Sequence, residues 1–319
     1  MFMPLFRKIS LVILSVLTGA LFLYSGFTKT YSIEGFERFQ YTIVEYVNFP
    51  WSLAVHSARI LVGMEFALGA LMVAHLFGHR KWVLKAAMLL LLAFSIYLVY
   101  LWAAVGNDIN CGCFGDKIWM SPASSLIKNI VLLLVLALLH KYHTGLTFNW
   151  AKWTAVLLFI ALTVSPYFYY PMPPNQPAWL QKDKYRIDLE ALYTPGKADA
   201  PKADLSEGKH VVAFVSLTCP HCKIAAYKMH IMKEKNPSLP FHIVYAGSKK
   251  YLRQYWKETN ARNIPHTRLT ADEFTAVAGY SWPAIFMINN GMVEAKIDYV
   301  SMNQVTIEQW LVEKQPVKQ

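Results

Sequence analysis

Five apolar blocks, each long enough to cross a bilayer as a helix, fill the first half of this 319-residue chain and constrain everything else about it. A span needs roughly 20 apolar residues, because a helix rises about 1.5 Å per residue across about 30 Å of hydrocarbon. The blocks fall near residues 9–27, 53–77, 83–105, 122–139 and 150–167. Arg7 and Lys8 precede the first, as in a secretory signal. The run is longer than a signal core and has no small-x-small cleavage site, so it reads as a span. Beyond about residue 170 the composition changes to mixed charge, alternation and turn residues, the pattern of a soluble domain. The mean hydropathy of +0.28 therefore averages two different halves. A net charge of +11 invites a nucleic-acid reading, but the Lys and Arg are scattered or flank apolar runs. Without a dense basic stripe, nucleic-acid binding is set aside.

Lys and Arg in the short loops give an orientation. "HRKWVLK" (79–85), "HKYHTG" (140–145) and Arg7–Lys8 are basic, whereas the other two loops carry Glu34, Glu37, Glu45, Asp108 and Asp116. The expectation is a multi-pass protein of a bacterial inner membrane with its N-terminus in the cytoplasm. Residues 105–121 and everything after 170 then lie outside, and all four cysteines share a compartment where disulfides persist. Within the blocks, Glu65, Arg59, His56 and Lys128 are costly to bury and mark functional positions by default. The bland alternative is a structural pair, Glu65 with Arg59 or with Lys128.

"PMPPNQP" (171–177) reads as a stiff extended linker. The expected divisions are a four-span unit (1–148), a fifth span (149–170), a linker (171–184) and a soluble domain (185–319). In the last, "KHVVAFVSL" (209–217) is a buried strand, and "CPHCKIAAYKMHIMKE" opens a helix directly after it. A second strand (240–247), a helix near 249–259, and a short helix "ADEFTAVAG" (271–279) follow. "PAIFMINNGMVEAKIDY" (283–299) is a hairpin turning on Asn-Gly, and a helix over 302–314 closes the domain.

A cysteine at the first turn of a helix feels the positive end of the dipole, so a thiolate at Cys219 is favoured. His221 can stabilise it further, which makes the pair more oxidising. Cys222, one turn deeper, is the natural resolving cysteine. A zinc half-site is the bland reading of C-x-x-C. Strand, Cys-Pro-His-Cys, helix and then "SWPAIF" resemble the thioredoxin fold over roughly 185–315. That resemblance implies a cis bond at Trp282–Pro283, with Pro283 holding the substrate backbone opposite the cysteines. Trp282 is bulkier than is common there.

"LFLYSGFTK" (21–29), "EFALG" (65–69), "CGCFGD" (111–116) and "LIKN" (126–129) resemble the DoxX-like membrane family, and within it the methylamine-utilisation protein MauE branch. The resemblance covers about residues 1–145 and implies an association with disulfide-forming maturation of extracytoplasmic proteins. The expected fold is thus an α-helical membrane bundle, a four-helix DoxX-like unit plus a fifth span, followed by an α/β thioredoxin-like domain. A disulfide between Cys111 and Cys113 would close a very small, strained and easily reduced ring, with Gly112 permitting the bend. Two unpaired thiols or a metal-binding fragment remain the alternative. About ten extended linker residues allow reach over the membrane surface, at roughly millimolar effective concentration.

The expected function is a membrane-anchored thiol-disulfide oxidoreductase. Cys219 and Cys222 exchange with extracytoplasmic protein thiols, and Cys111 and Cys113 relay electrons into the membrane plane, where a quinone is the obvious acceptor. No resident metal or covalently bound cofactor is expected, and the partners are protein thiols and the lipid bilayer. An extracytoplasmic reductase or isomerase fed by another membrane protein, and a non-catalytic assembly or metal-handling factor, are the other readings.

Overall fold

The computed structural model describes residues 2–115, 117–146, 150–170, 172, 184–194 and 199–312. Asp116 and most of the proline-rich 171–184 segment lie outside the described residues. The chain divides into two compact units, residues 1–172 and 173–319.

The first unit is helical: α1 (Phe2–Thr30), α2 (Ile33–Tyr46), α3 (Trp51–Val73), α4 (Trp82–Ala104), α5 (Pro122–Tyr142), α6 (Ala151–Val164) and α7 (Pro166–Tyr169). Five segments are long and apolar enough to cross a membrane: Arg7–Thr30, Trp51–Val73, His79–Ala104, Pro122–Tyr142 and Ala151–Tyr169. The last breaks at Ser165, because Pro166 cannot continue the helical ladder and starts α7. Phe22, Leu68, Leu71, Leu84, Leu90 and Leu136 pack the centre. Leu89, Ile96, Leu134 and Leu157 point outward, as lipid-facing residues do. Helices α1 and α3 touch backbone to backbone. A Cβ on Gly19 would lie 2.6 Å from the Gly69 carbonyl oxygen, which is the small-residue contact that lets membrane helices approach closely.

Helix α2 has no counterpart in the sequence reading. Ser32 caps it by accepting the Gly35 N–H at 3.1 Å, and Phe36, Phe39, Tyr41, Ile43 and Val44 are buried. Glu34, Glu37, Arg38 and Glu45 dilute its apolar face below the density of a span, so periodicity alone marks it.

The second unit contains one mixed sheet in the order β1-β6-β5-β2-β3-β4. Its strands are β1 (Tyr185–Arg186), β2 (Lys209–Ser216), β3 (Phe241–Ala246), β4 (His266–Leu269), β5 (Ala284–Asn289) and β6 (Met292–Ile297). Its helices are α8 (Pro220–Lys235), α9 (Leu252–Thr259), α10 (Ala271–Ala278) and α11 (Gln304–Val312). Strands β2, β3 and β4 run parallel, and β5 and β6 form an antiparallel hairpin on β2 through the Asn290-Gly291 turn. Parallel neighbours require crossover helices, which α8 supplies between β2 and β3. This is a thioredoxin-like α/β fold. Alternation divides β2 between two cores: Val211, Ala213 and Val215 pack with α8, whereas Val212 and Phe214 pack with Phe274 of α10. Strands β1 and β4 were not foreseen; one has two residues, and the other is the polar run His-Thr-Arg-Leu. The expected 249–259 helix starts with a 3-10 turn and becomes α-helical at Leu252.

Candidate functional site

The four membrane-unit signatures meet around one cavity of about 260 Å³. Ser25 and Lys29 come from α1, Glu65 from α3, Cys111 to Phe114 from the α4–α5 loop, and Lys128 and Asn129 from α5. The loop is braced by Asn110, whose Nδ2 donates to the Gly115 carbonyl at 3.0 Å and whose Oδ1 accepts from Gly112 N–H at 3.3 Å. Gly112 has φ +74°, in the left-handed region that favours a residue without a Cβ between the cysteines. Cys111 is buried, with Sγ 2.9 Å from the Ser125 hydroxyl and 3.4 Å from the Cys113 N–H. The Cys113 thiol, by hydrogen-bonding to Cys111, draws the Cys111 pKa down to about 6 against the effect of burial, with help from Ser125 and Lys128. The same bond, together with burial, pushes Cys113 up.

The partner of Glu65 is neither Arg59 nor Lys128, which corrects both pairings drawn from the sequence. Lys29 Nζ lies 2.8 Å from each Glu65 carboxylate oxygen, and both side chains are almost fully buried. Ser25 Oγ lies 3.0 Å from both Glu65 Oε1 and the Cys113 carbonyl oxygen, which share its single hydroxyl proton and so link the ion pair to the cysteine loop. Arg59 instead donates to Gln40 Oε1 at 3.0 Å and to the Tyr170 carbonyl at 2.9 Å, and His56 meets the Tyr167 hydroxyl at 3.0 Å. Lys128 Nζ stands 4.6 Å from the Phe114 ring centroid.

In the second unit Cys219 is the N-cap of α8 and accepts the Cys222 N–H at 3.4 Å. Cys222 is fully buried, with Sγ accepting the Ser216 N–H at 3.3 Å. Hydrogen bonds from the Cys222 thiol and N–H, aided by His221, hold Cys219 down to about 6; burial and the Cys219 partner push Cys222 well up. All four cysteines are free thiols. The Trp282–Pro283 bond is cis, and the Trp282 carbonyl oxygen lies 4.0 Å from Cys219 Sγ. Trp282 is held by its Nε1–H donating to the Gly279 carbonyl at 2.8 Å. His221 packs on Tyr299, ring centroids 5.2 Å apart. The buried Lys228 donates to the Tyr299 and Val300 carbonyls at 2.6 and 3.2 Å, fixing that loop beside His221.

Residues 7–142 match the family described as methylamine utilisation protein MauE. The membrane unit carries a MauE-type domain. Over 291 residues the chain is 25% identical to Protein TlpB of Flavobacterium psychrophilum, covering 77% of this chain and 79% of that one. Two solved structures are similar to the second unit. One is a secreted Mycobacterium tuberculosis disulfide oxidoreductase homologous to E. coli DsbE, at 16% identity and TM-score 0.27 over 32% of this chain and 81% of that one. The other is the thioredoxin domain of a Bacteroides vulgatus thiol-disulfide oxidoreductase, at 14% identity and TM-score 0.30 over 44% and 99%.

With a MauE-type domain, five membrane-length helices and a Cys-x-x-Cys pair heading a helix of a thioredoxin-like fold, the chain is a multi-pass membrane protein with a thioredoxin-like domain. Among the described residues no group of three or more His, Cys, Asp or Glu side chains is arranged to hold a metal ion. Sequence reasoning missed Ser25, Lys29 and Asn129 as individual residues, although each lies within a quoted signature. Lys228 was also missed. Its signal was a lysine surrounded by Ala225, Ala226, Met229 and Met232 on the buried side of α8.

The lowered Cys219 pKa has a direct readout. Alkylation of reduced protein by iodoacetamide is expected to rise with a midpoint near pH 6, not near the ~8.5 of a free thiol. Because the folded pKa is the lower one, thiolate stabilisation of the reduced domain is fully present above the unfolded pKa. It is lost as the pH falls through about 6.

Proposed function

We propose that this chain is a membrane-bound, disulfide-forming oxidoreductase whose thioredoxin-like domain works outside the cytoplasm of a bacterial cell. The basic ends of the bundle, Arg7, Lys8, Arg80, Lys81, Lys85 and Lys141, support placing the CGC loop and the second unit on the extracytoplasmic side. Cys219 exchanges with thiols of exported proteins, Cys222 is its disulfide partner, and Cys111 with Cys113 passes electrons to an acceptor in the membrane.

The observation that carries the direction is the split at the head of α8, with thiolate favoured on half-buried Cys219 and thiol on buried Cys222. A pKa of about 6 leaves Cys219 roughly 90% ionised at pH 7, against about 3% for a thiol of pKa ~8.5. Much of that gain is offset when Cys219 attacks, because nucleophilicity falls with pKa with a slope of about 0.4–0.5. As a leaving group it keeps the whole advantage. A client thiol attacks Cys219 of the disulfide and Cys222 departs; the client's second thiolate then displaces Cys219, leaving an oxidised client and a reduced pair. The raised pKa of Cys222 slows the competing reaction that would return the client reduced. The pair is re-oxidised by a Cys111–Cys113 disulfide, which becomes the dithiol.

Two measurements on the full-length protein test this. The Cys219–Cys222 reduction potential is expected above about −200 mV; a value near the roughly −270 mV of thioredoxin would overturn disulfide formation in favour of a reductase. Cys222→Ser is expected to accumulate Cys219 in mixed disulfides that include Cys111 or Cys113. Their absence from peptide mapping would sink the internal relay.

A further inference from the structure

We propose that the cavity beside Cys111 and Cys113 binds the head group of a lipid-soluble quinone, which takes the electrons of that cysteine pair; the site deepens and rests on the disulfide-forming reading. Its volume of about 260 Å³ is near the lower end for small-molecule sites, roughly 300 Å³, so a ring fits while a polyprenyl tail must lie outside. The wall is aromatic and aliphatic, from Phe22, Leu90, Phe94 and Leu132. Ala93, exposed on the outer surface of α4, also lines it and marks an opening toward lipid.

The polar end of the cavity suits an acceptor that gains electrons. Lys29 and Lys128 set two ammonium groups against the single Glu65 carboxylate, so the local field favours negative charge on a quinone oxygen as on the Cys111 sulfur. Asn129 supplies an independent indication of a ligand. The Ser95 hydroxyl donates to the Leu91 carbonyl at 2.7 Å and is left to accept from Asn129 Nδ2 at 3.2 Å. That directs the amide nitrogen to Ser95 and leaves Oδ1, on a side chain 1% exposed, with no hydrogen-bond partner. A buried acceptor without a donor is costly. A quinol hydroxyl is such a donor, whereas an acyl chain is not.

The reaction balances without a further reagent. Cys111 and Cys113 lose two electrons and two protons as their sulfurs join. The two carbonyl oxygens of the quinone gain both pairs and leave as quinol. When Cys111 is already a thiolate, its proton is recovered from water.

The test separates binding from turnover. Full-length protein carrying Cys111→Ser and Cys113→Ser, in lipid nanodiscs, is irradiated with a photoreactive azidobenzoquinone bearing a short isoprenoid tail. Saturable labelling of cavity peptides from α1, α4 and α5 is expected, competed by ubiquinone with one isoprene unit. Asn129→Leu is expected to weaken competition up to ~10-fold, the range of one hydrogen bond. Ala93→Trp, a lipid-side substitution that leaves the buried ion pair intact, is expected to abolish the labelling. Unsaturable labelling spread over the outer helix faces and indifferent to Ala93→Trp would overturn the site. If that occurs while Cys111 and Cys113 still cycle between thiol and disulfide in membranes, the quinone site falls and the relay stands. If the two cysteines never form a disulfide in cells, the relay itself falls.

Discussion

Cys219→Ser is expected to reduce thiol-disulfide exchange with protein substrates to background, a fall on the order of 10⁴-fold or more, as for deletion of other catalytic nucleophiles. The reason lies in where the thiolate resides. Cys219 caps α8, where the Cys222 N–H and thiol both donate to its sulfur and His221 adds a favourable charge. A serine hydroxyl in that place stays protonated at neutral pH and neither attacks nor leaves as sulfur does. Cys222 cannot substitute, because it is fully buried and its thiol is pushed toward the protonated form. The assay is oxidation of a reduced peptide dithiol by full-length protein. Residual activity above a few per cent in Cys219→Ser would mean that Cys111 or Cys113 serves clients directly.

Lys29→Met is expected to cost about 3–5 kcal/mol of stability in detergent, the range for breaking a buried ion pair. Lys29 and Glu65 are each almost completely enclosed, and removing the ammonium leaves a buried carboxylate held by the Ser25 hydroxyl in place of its counter-charge. The double substitution Lys29→Met with Glu65→Leu is expected to recover most of the loss, since replacing both members by apolar groups removes the desolvation cost as well as the attraction. Unfolding of the unaltered protein, Lys29→Met, Glu65→Leu and the double variant by SDS titration checks this as a double-mutant cycle. Equal losses in the single and double variants would show that the pair contributes through packing alone.

The parts legible in the sequence are those whose signal is local. Apolar length marks the spans, Asn-Gly marks the β5–β6 turn, and Cys-Pro-His-Cys after an apolar strand marks the head of α8. Helix α2 and strand β4 escaped notice because charged or polar residues interrupt their patterns, and neighbours supplied by the rest of the fold decide them. The partner of Glu65 was hidden for a different reason. Choosing among Lys29, Arg59 and Lys128 requires the rotation of each helix about its axis, which composition does not encode. Likewise the four signatures could be quoted as strings, but their meeting at one cavity is a property of helix packing.

The choice of Lys29 has a consequence for how the protein is made. Glu65 is a carboxylate that must pass from the translocation machinery into hydrocarbon during synthesis. Its counter-charge sits on the preceding span, α1, already in the bilayer when α3 arrives; Lys128 emerges only with α5. The Gly19–Gly69 contact brings the backbones of those first two spans together. The order of the chain thus lets neutralisation accompany insertion, and Lys29→Met should impair membrane entry of α3 in a way that Lys128→Met does not.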